Sequence, residues 1–347
     1  EVRCARTGPK AGMKGVPSIR RGALSWDKPY TSARPSEPAD QHSRDTRGVS
    51  SGYGKDGSRH SLGGQRRAGT IVNKRTHYAI TPDGVRIGGT VNGQGPPLVF
   101  WHGAYGDGEL DWQGLLPHLS RNFTCYLPSW RGRGLSDEHA DLGYGRRVDD
   151  VLAYVDSLEE PTGLVGWSGG ANPALAAAGK SDSVNAVALF EPTMGAVMND
   201  QERVAFGESV ARMGALAAEG KWAEAVQAAA ATPFNDEEIA VAEHAGYFEA
   251  AGRYVPNLLN VLRQLRNHTG PIADDPAVLG AISTRMLVIH GANTKPFWVR
   301  SARHVVDHVP NALIQVIPGA GHAAPLTHPD ALAEVLSEFF LPGQRLD

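Results

Sequence analysis

LVGWSGGANPAL, residues 164–175, is the stretch on which the reading of this chain turns. Three glycines crowd one serine, after an apolar run and before a helix-like run. Glycine weakens strands and helices alike, so three within five residues call for a structural reason. Gly166-Trp167-Ser168-Gly169-Gly170 has the form G-x-S-x-G. Between a strand and a helix, that form makes a turn so tight that glycines must flank it, and it holds the serine hydroxyl out at the strand end. Gly169 then opens a helix, with its N–H directed at any negative charge that develops beside the serine. Pro173 suits the first helical turn, where N–H groups lack partners. Standing alone the pattern is weak, because a Ser-Gly-Gly turn also serves as a plain strand–helix connection.

The chain has 347 residues and a formal net charge of -3, with 41% hydrophobic residues, enough for a sizeable core. Charge is uneven: residues 1–70 hold 14 Lys/Arg against 6 Asp/Glu, leaving 20 against 31 in the remainder. An acidic remainder argues against a nucleic-acid surface on the folded part. Residues 1–70 are polar, rich in Gly and Ser and poor in aliphatics, and are expected to be a disordered tail. A flexible arm, a targeting peptide and translated upstream sequence are the competing readings. Six acids count against the targeting peptide, and a tail without function is favoured. No apolar run reaches the ~18 residues that span a membrane. The two cysteines, Cys4 and Cys125, offer neither a disulfide framework nor zinc spacing. A reducing cytoplasm is the expected location, and a monomer or homodimer the expected assembly.

From residue 71 onward the pattern is ordered. THYAITPDGVRIGGTV alternates about Asp83-Gly84 and predicts a hairpin. Short apolar runs then alternate with helical spacings. PLVFWHG is followed by Trp112, Leu115, Leu116 and Leu119 on one helix face. NFTCYLPSW precedes a helix carrying Val148, Val151, Leu152 and Val155; GLVGWSGG precedes an alanine-rich helix; AVALFEP closes the first half. After MLVIHG come a helix through Val305, ALIQVIPGAGH, and a last helix bearing Leu332, Val335, Leu336 and Phe339. Such alternation predicts an α/β fold, a mostly parallel sheet with helices on both faces, with ligands at the carboxyl ends of the strands. Residues 196–279 break the alternation with three helical runs only, ERVAFGESVARMGALAAEGKWAEAVQAAA, DEEIAVAEHAGYFEAA and VPNLLNVLRQLRN. They are expected to form an inserted helical cap between core segments 71–195 and 280–347, in preference to a partner-binding outgrowth.

Five segments together resemble the α/β-hydrolase superfamily: FWHGAYGD, PSWRGRGLSD, VGWSGGA, ALFEP and IPGAGHAAPLTHP. The resemblance covers roughly residues 76–345 and is similar in particular to helical-cap serine hydrolases, which include esterases, lactonases and carbon–carbon bond hydrolases. It implies the eight-stranded type of sheet, Ser168 as nucleophile, and an oxyanion hole from the N–H groups of Ala104 and Gly169. His322, in GAGHAAP, falls where the family places the general base that a serine hydroxyl needs. His102 and His290 are implied to be structural.

The third member departs from the commonest pattern. Where many relatives carry an aspartate after the strand MLVIHG, this chain has Asn293 and Thr294. Glu191, closing the strand in ALFEP, is the favoured acid: some members of the superfamily carry it there, and Ser168, Glu191, His322 keeps the chain order of the fold. The competing readings are a Glu191 that only braces its loop, and a neutral residue orienting the histidine. Ser129 stands where relatives usually have aspartate, which puts loop packing in doubt. Arg131 and Arg133 are read as surface or loop-bracing residues, with an anionic-substrate clamp the minority reading.

A serine at position 168 implies an acyl-enzyme, and therefore ester or lactone hydrolysis without metal or cofactor. The alternatives are a receptor-like binder on the same scaffold, which fold alone does not separate, and a carbon–carbon hydrolase or lyase in the same pocket. The substrate is expected to be a small apolar ester or lactone. Tyr105, Trp167, Trp222 and Trp298 are candidate pocket residues, joined by Phe234, Tyr247, Phe248, Tyr254 and Phe297, though aromatic side chains at such positions more often pack helix on helix.

Overall fold

The computed structural model describes residues 75–341; the expected 1–70 tail lies outside them. Eight strands form one sheet: β1 (Arg75–Ile80), β2 (Arg86–Gly93), β3 (Pro97–Trp101), β4 (Thr124–Pro128), β5 (Thr162–Trp167), β6 (Val184–Phe190), β7 (Arg285–Gly291) and β8 (Leu313–Ile317). Their order is β1-β2-β4-β3-β5-β6-β7-β8. β1 and β2 form the expected antiparallel hairpin, and β2 also runs antiparallel to β4. Every other pairing is parallel. Gly84 sits in the hairpin turn at φ 83°, a left-handed conformation that glycine adopts without strain.

The central strands are buried on both faces, which explains their near-continuous apolar runs. Successive residues point to opposite sides. Phe100, Val165, Trp167, Phe190 and Ile289 join one core cluster with Leu115, Leu332 and Leu336. Val99, Trp101, Leu164, Leu189 and Val288 join the other with Val148, Val151, Leu175 and Val305. The register aligns the carboxyl ends, pairing Trp101 with Gly166, Trp167 with Phe190, and Gly291 with Ile317. Loops that leave these strands therefore converge.

Two periodic readings need correction. The face of Trp112, Leu115, Leu116 and Leu119 is not one helix but Gly108–Trp112, a 3-10 turn Gln113–Leu115 and Leu116–Leu119. Gly114 and Pro117 account for the break, since proline has no N–H and clashes with the preceding turn. Between β6 and β7 the described chain is helical, but in more pieces than the spacing predicts. Gly220, at φ 76°, separates Asp200–Ala218 from Trp222–Ala230, and Gly246, at φ 67°, separates Asp236–His244 from Tyr247–Gly252. Val255–Arg266 follows. Val226, Phe234, Tyr247 and Phe248 of this insertion belong to the same core cluster as Phe100 and Trp167, so the insertion is packed on the sheet's own core.

Candidate active site

The glycines of the opening stretch have separate jobs. A Cβ on Gly166 would lie 2.7 Å from the Cα of Ala171, and one on Gly170 would collide with the carbonyl oxygen of His102. Both are places where backbone meets backbone. At Gly169 the nearest atom would be the Cβ of Ala104 at 3.7 Å, so that space is open. Between them Ser168 sits at φ 53°, left-handed for a residue with a Cβ. Such strain costs on the order of 1–3 kcal/mol and persists only where the surroundings impose it. Glu191, the residue after β6, is also left-handed at φ 44°.

These two strained residues meet over one imidazole. His322 Nε2 is 3.0 Å from Ser168 Oγ, and His322 Nδ1 is 2.7 Å from Glu191 Oε2. A carboxylate only accepts, so Nδ1 carries the proton and Nε2 is left to accept from the serine hydroxyl. Glu191 is fully buried, and its charge is met by two further donors: Gly291 N–H on Oε1 at 2.9 Å and Thr294 Oγ1–H on Oε2 at 2.9 Å. Thr294 thus donates to the carboxylate and Asn293 to the carbonyl of Gly319. The histidine ring is stacked on Trp298, with centroids 3.8 Å apart and planes 15° from parallel. Ser168 is 8% exposed and His322 2%. Two cavities, of about 220 and 200 Å³, lie elsewhere: one lined by Asp107 and Tyr254, the other by Phe123 and Phe340.

Ala104, whose N–H has no acceptor among the described residues, faces Gly169. The loop bearing it is braced on several sides. Arg133 donates through Nη1 to the carbonyls of Ala104 and Gly106 at 2.7 and 2.9 Å. Asp111 accepts from Gly103 N–H at 3.0 Å and from the Tyr247 hydroxyl at 2.8 Å. Asp107 accepts from the Tyr254 hydroxyl at 2.5 Å and also caps its own helix. Burial pushes the Asp111 carboxyl up to about 7. His102 accepts from Trp130 N–H at 3.1 Å, while burial and the Arg133 charge hold its imidazole well below the usual range.

The remaining sequence-derived candidates separate cleanly. Trp167 is core: its Nε1–H donates to the His322 carbonyl at 3.0 Å. Tyr105 meets Phe234 edge to face at 6.2 Å, and Phe234 lies 6.0 Å from the His322 ring. Trp222 packs against Gly252 inside the insertion, and no ring contact or hydrogen bond joins it to Ser168, Glu191 or His322. His290 is buried against the carbonyl of Gly291. Arg131 and Arg133 are not surface residues. Arg131, 1% exposed, ties Asp150 to Asp83 of the hairpin turn, and Arg133 is 3% exposed. Ser129 accepts from Gly108 N–H at 3.1 Å and packs the loop with a hydroxyl. Asp111 and Glu238 escaped notice in the sequence. An Asn-x-x-Glu spacing at 235–238 does signal a capping box, but not the reach of its glutamate into the site.

The sequence profile of the Alpha/beta hydrolase family matches residues 98–335. This chain belongs to the alpha/beta hydrolase family. Among solved structures it is similar to an alpha/beta hydrolase from Sphaerobacter thermophilus, at 26% identity and TM-score 0.60, covering 76% of this chain and all of that one. A 2-hydroxy-6-oxo-6-phenylhexa-2,4-dienoate hydrolase from Rhodococcus, at 22% identity, TM-score 0.60 and coverage of 77% and 99%, shares the fold. Among characterised proteins, a pyrrolizixenacetamide deacetylase of Xenorhabdus hominickii is 34% identical over 25% of this chain, which spans only 34% of its length. A 2-hydroxy-6-oxo-6-(2'-aminophenyl)hexa-2,4-dienoic acid hydrolase of Metapseudomonas resinovorans is 23% identical over 77% of this chain and 93% of its own. Among the described residues, no helix of this hydrolase-family chain is long and apolar enough to cross a membrane.

Proposed function

We propose that this hydrolase cleaves a carboxylic ester or lactone through an acyl-enzyme on Ser168. The observation that carries the reading is the continuous relay from Ser168 Oγ through the His322 ring to Glu191, at 3.0 and 2.7 Å. Ser168 Oγ attacks the carbonyl carbon while Nε2 of His322 takes its proton. The oxyanion is held by the N–H groups of Ala104 and Gly169, in a dry site where such donors count for more than in water. The imidazolium, balanced by Glu191, returns the proton to the departing alkoxide, and water repeats the cycle on the acyl-enzyme. The helices between β6 and β7 act as a cap, closing an aromatic site formed by Tyr105, Phe234 and Trp298.

Carbon–carbon bond hydrolysis is the second reading, favoured by the near full-length match to the aminophenyl-hexadienoic acid hydrolase. It uses the same serine, but the leaving group is a carbon that must be protonated. A receptor-like role is disfavoured, because a silent serine has no need of a buried imidazole and carboxylate aligned on it.

The test is turnover of p-nitrophenyl butyrate, a δ-lactone and a vinylogous 1,5-diketone by the full chain, with fluorophosphonate labelling. Labelling at Ser168, ester turnover, and loss of both in Ser168→Ala are the expected results. Full activity in Ser168→Ala would overturn the mechanism; turnover of the diketone alone would select the second reading.

A further inference from the structure

The peptide unit between His322 and Ala323 is gripped from two sides. Its carbonyl accepts from Trp167 Nε1 at 3.0 Å, and its N–H donates to Glu238 Oε1 at 2.5 Å. Trp167 belongs to the sheet, whereas Glu238 lies in the first turn of Asp236–His244, in the insertion. Glu238 is 3% exposed, an uncommon setting for a glutamate. It is also fixed from behind. Its Oε2 accepts from Asn235 N–H at 2.9 Å, while Asn235 Oδ1 accepts from Glu238 N–H at 2.9 Å. Space for it is reserved at Gly321, where a Cβ would lie 2.6 Å from Glu238 Oε1 and 2.7 Å from Asn235 Nδ2. The glycine before the histidine is therefore a seat for a carboxylate from another part of the fold.

We propose that Glu238 is a positioning residue for His322, pinning the histidine's peptide and facing it with a second negative charge, so that the base is in place only when the insertion is seated on the sheet. The proposal rests on the serine-hydrolase reading given above. Two neighbouring observations point the same way. Phe234, just before the capping box, lies 6.0 Å from the His322 ring. Lys295, after β7, donates to the carbonyls of Ala231 and Thr232 at 2.8 and 2.7 Å, so residues 231–238 are tied to the sheet side at both ends. The charged groups around Glu238 are His322, Glu191 and Lys295, with Asp236 near the lysine. Burial pushes the Glu238 carboxyl up, while the N–H groups of Asn235 and Ala323 and the nearby histidine pull it back.

Glu238→Gln keeps an acceptor for Ala323 and removes the charge. Its acidic kcat/KM limb should move to lower pH by about half to one unit, the size of a partly screened charge pair at an effective dielectric of about 20. Its plateau kcat should stay within about threefold, because only one N–H loses its partner. Glu238→Ala leaves Ala323 N–H buried and unpaired, and kcat should fall roughly tenfold or more with KM little changed. The titration midpoint of the His322 ring C–H, followed by NMR and assigned with His322→Asn, should move in Glu238→Gln in step with the limb. That readout needs no turnover, so it stays informative even if Ser168→Ala shows the serine reading to be wrong. An unmoved limb and midpoint in Glu238→Gln, or full kcat in Glu238→Ala, overturns the proposal.

Discussion

Glu191→Gln is the substitution that most directly tests the relay. The carboxylate accepts three hydrogen bonds, from His322 Nδ1, Thr294 Oγ1 and Gly291 N–H. An amide has one oxygen and one NH2 group, so it cannot accept on both sides. If its NH2 group faces Gly291, two donors confront one another in a fully buried place. If it faces the histidine, it donates to Nδ1 and forces the proton onto Nε2. Nε2–H then points at Ser168 and accepts nothing. In the serine-protease precedent an equivalent change costs about 10⁴ in turnover, or roughly 5 kcal/mol of transition-state stabilisation. A loss near that size is expected here at saturating p-nitrophenyl ester, with circular dichroism unchanged. Thr294→Val removes one donor to the carboxylate and leaves the charge, so about tenfold or less is expected. A Glu191→Gln enzyme within tenfold of the parent, beside a crippled Thr294→Val, would refute the reasoning and move the orienting role to the loop after β7.

Two further substitutions probe the surroundings. Trp298→Leu removes the ring stacked at 3.8 Å on His322 and should lower kcat/KM roughly 2- to 30-fold, the worth of a cation–π contact of about 0.5–2 kcal/mol to the imidazolium formed during turnover; an unchanged kcat/KM would show the stack to be packing only. Asp111 has its folded value raised to about 7 from 3.8, so the folded state holds that proton more tightly than the unfolded one, and stability contributed below pH 4 is lost as pH rises to 7. Asp111→Asn should therefore flatten the stability curve between pH 4 and 7 by about 1.4 kcal/mol per pH unit in urea titrations, and identical slopes for the two proteins would exclude the buried acid as the cause.

The sequence by itself determined whatever is written in neighbouring residues. Alternating strand and helix patterns, with the Asp83-Gly84 turn, specify the hairpin and the mainly parallel sheet. Gly166 and Gly170 flank Ser168 because the backbone of Ala171 and the carbonyl of His102 leave no room for a Cβ. Periodicity overran at Gly114, Pro117, Gly220 and Gly246, since a pattern of apolar faces does not register where the backbone breaks. Everything that depends on long-range convergence was left to the tertiary structure. Glu191, His322 and Thr294 are more than a hundred residues apart along the chain in two of their three pairings, and only the aligned ends of β6, β7 and β8 bring them together. Arg131 and Arg133 read as either surface or loop-bracing residues because a guanidinium carries no sign of its partners; the fold decides for bracing, with both buried against carboxylates and carbonyls from distant segments. Glu238 is the plainest case. Locally it is the closing member of a capping box, and its second oxygen finds Ala323 only because tertiary packing brings residues 235–238 against the loop after β8. Hydrogen-bonding capacity is a property of the residue, but the partner that uses it is a property of the fold.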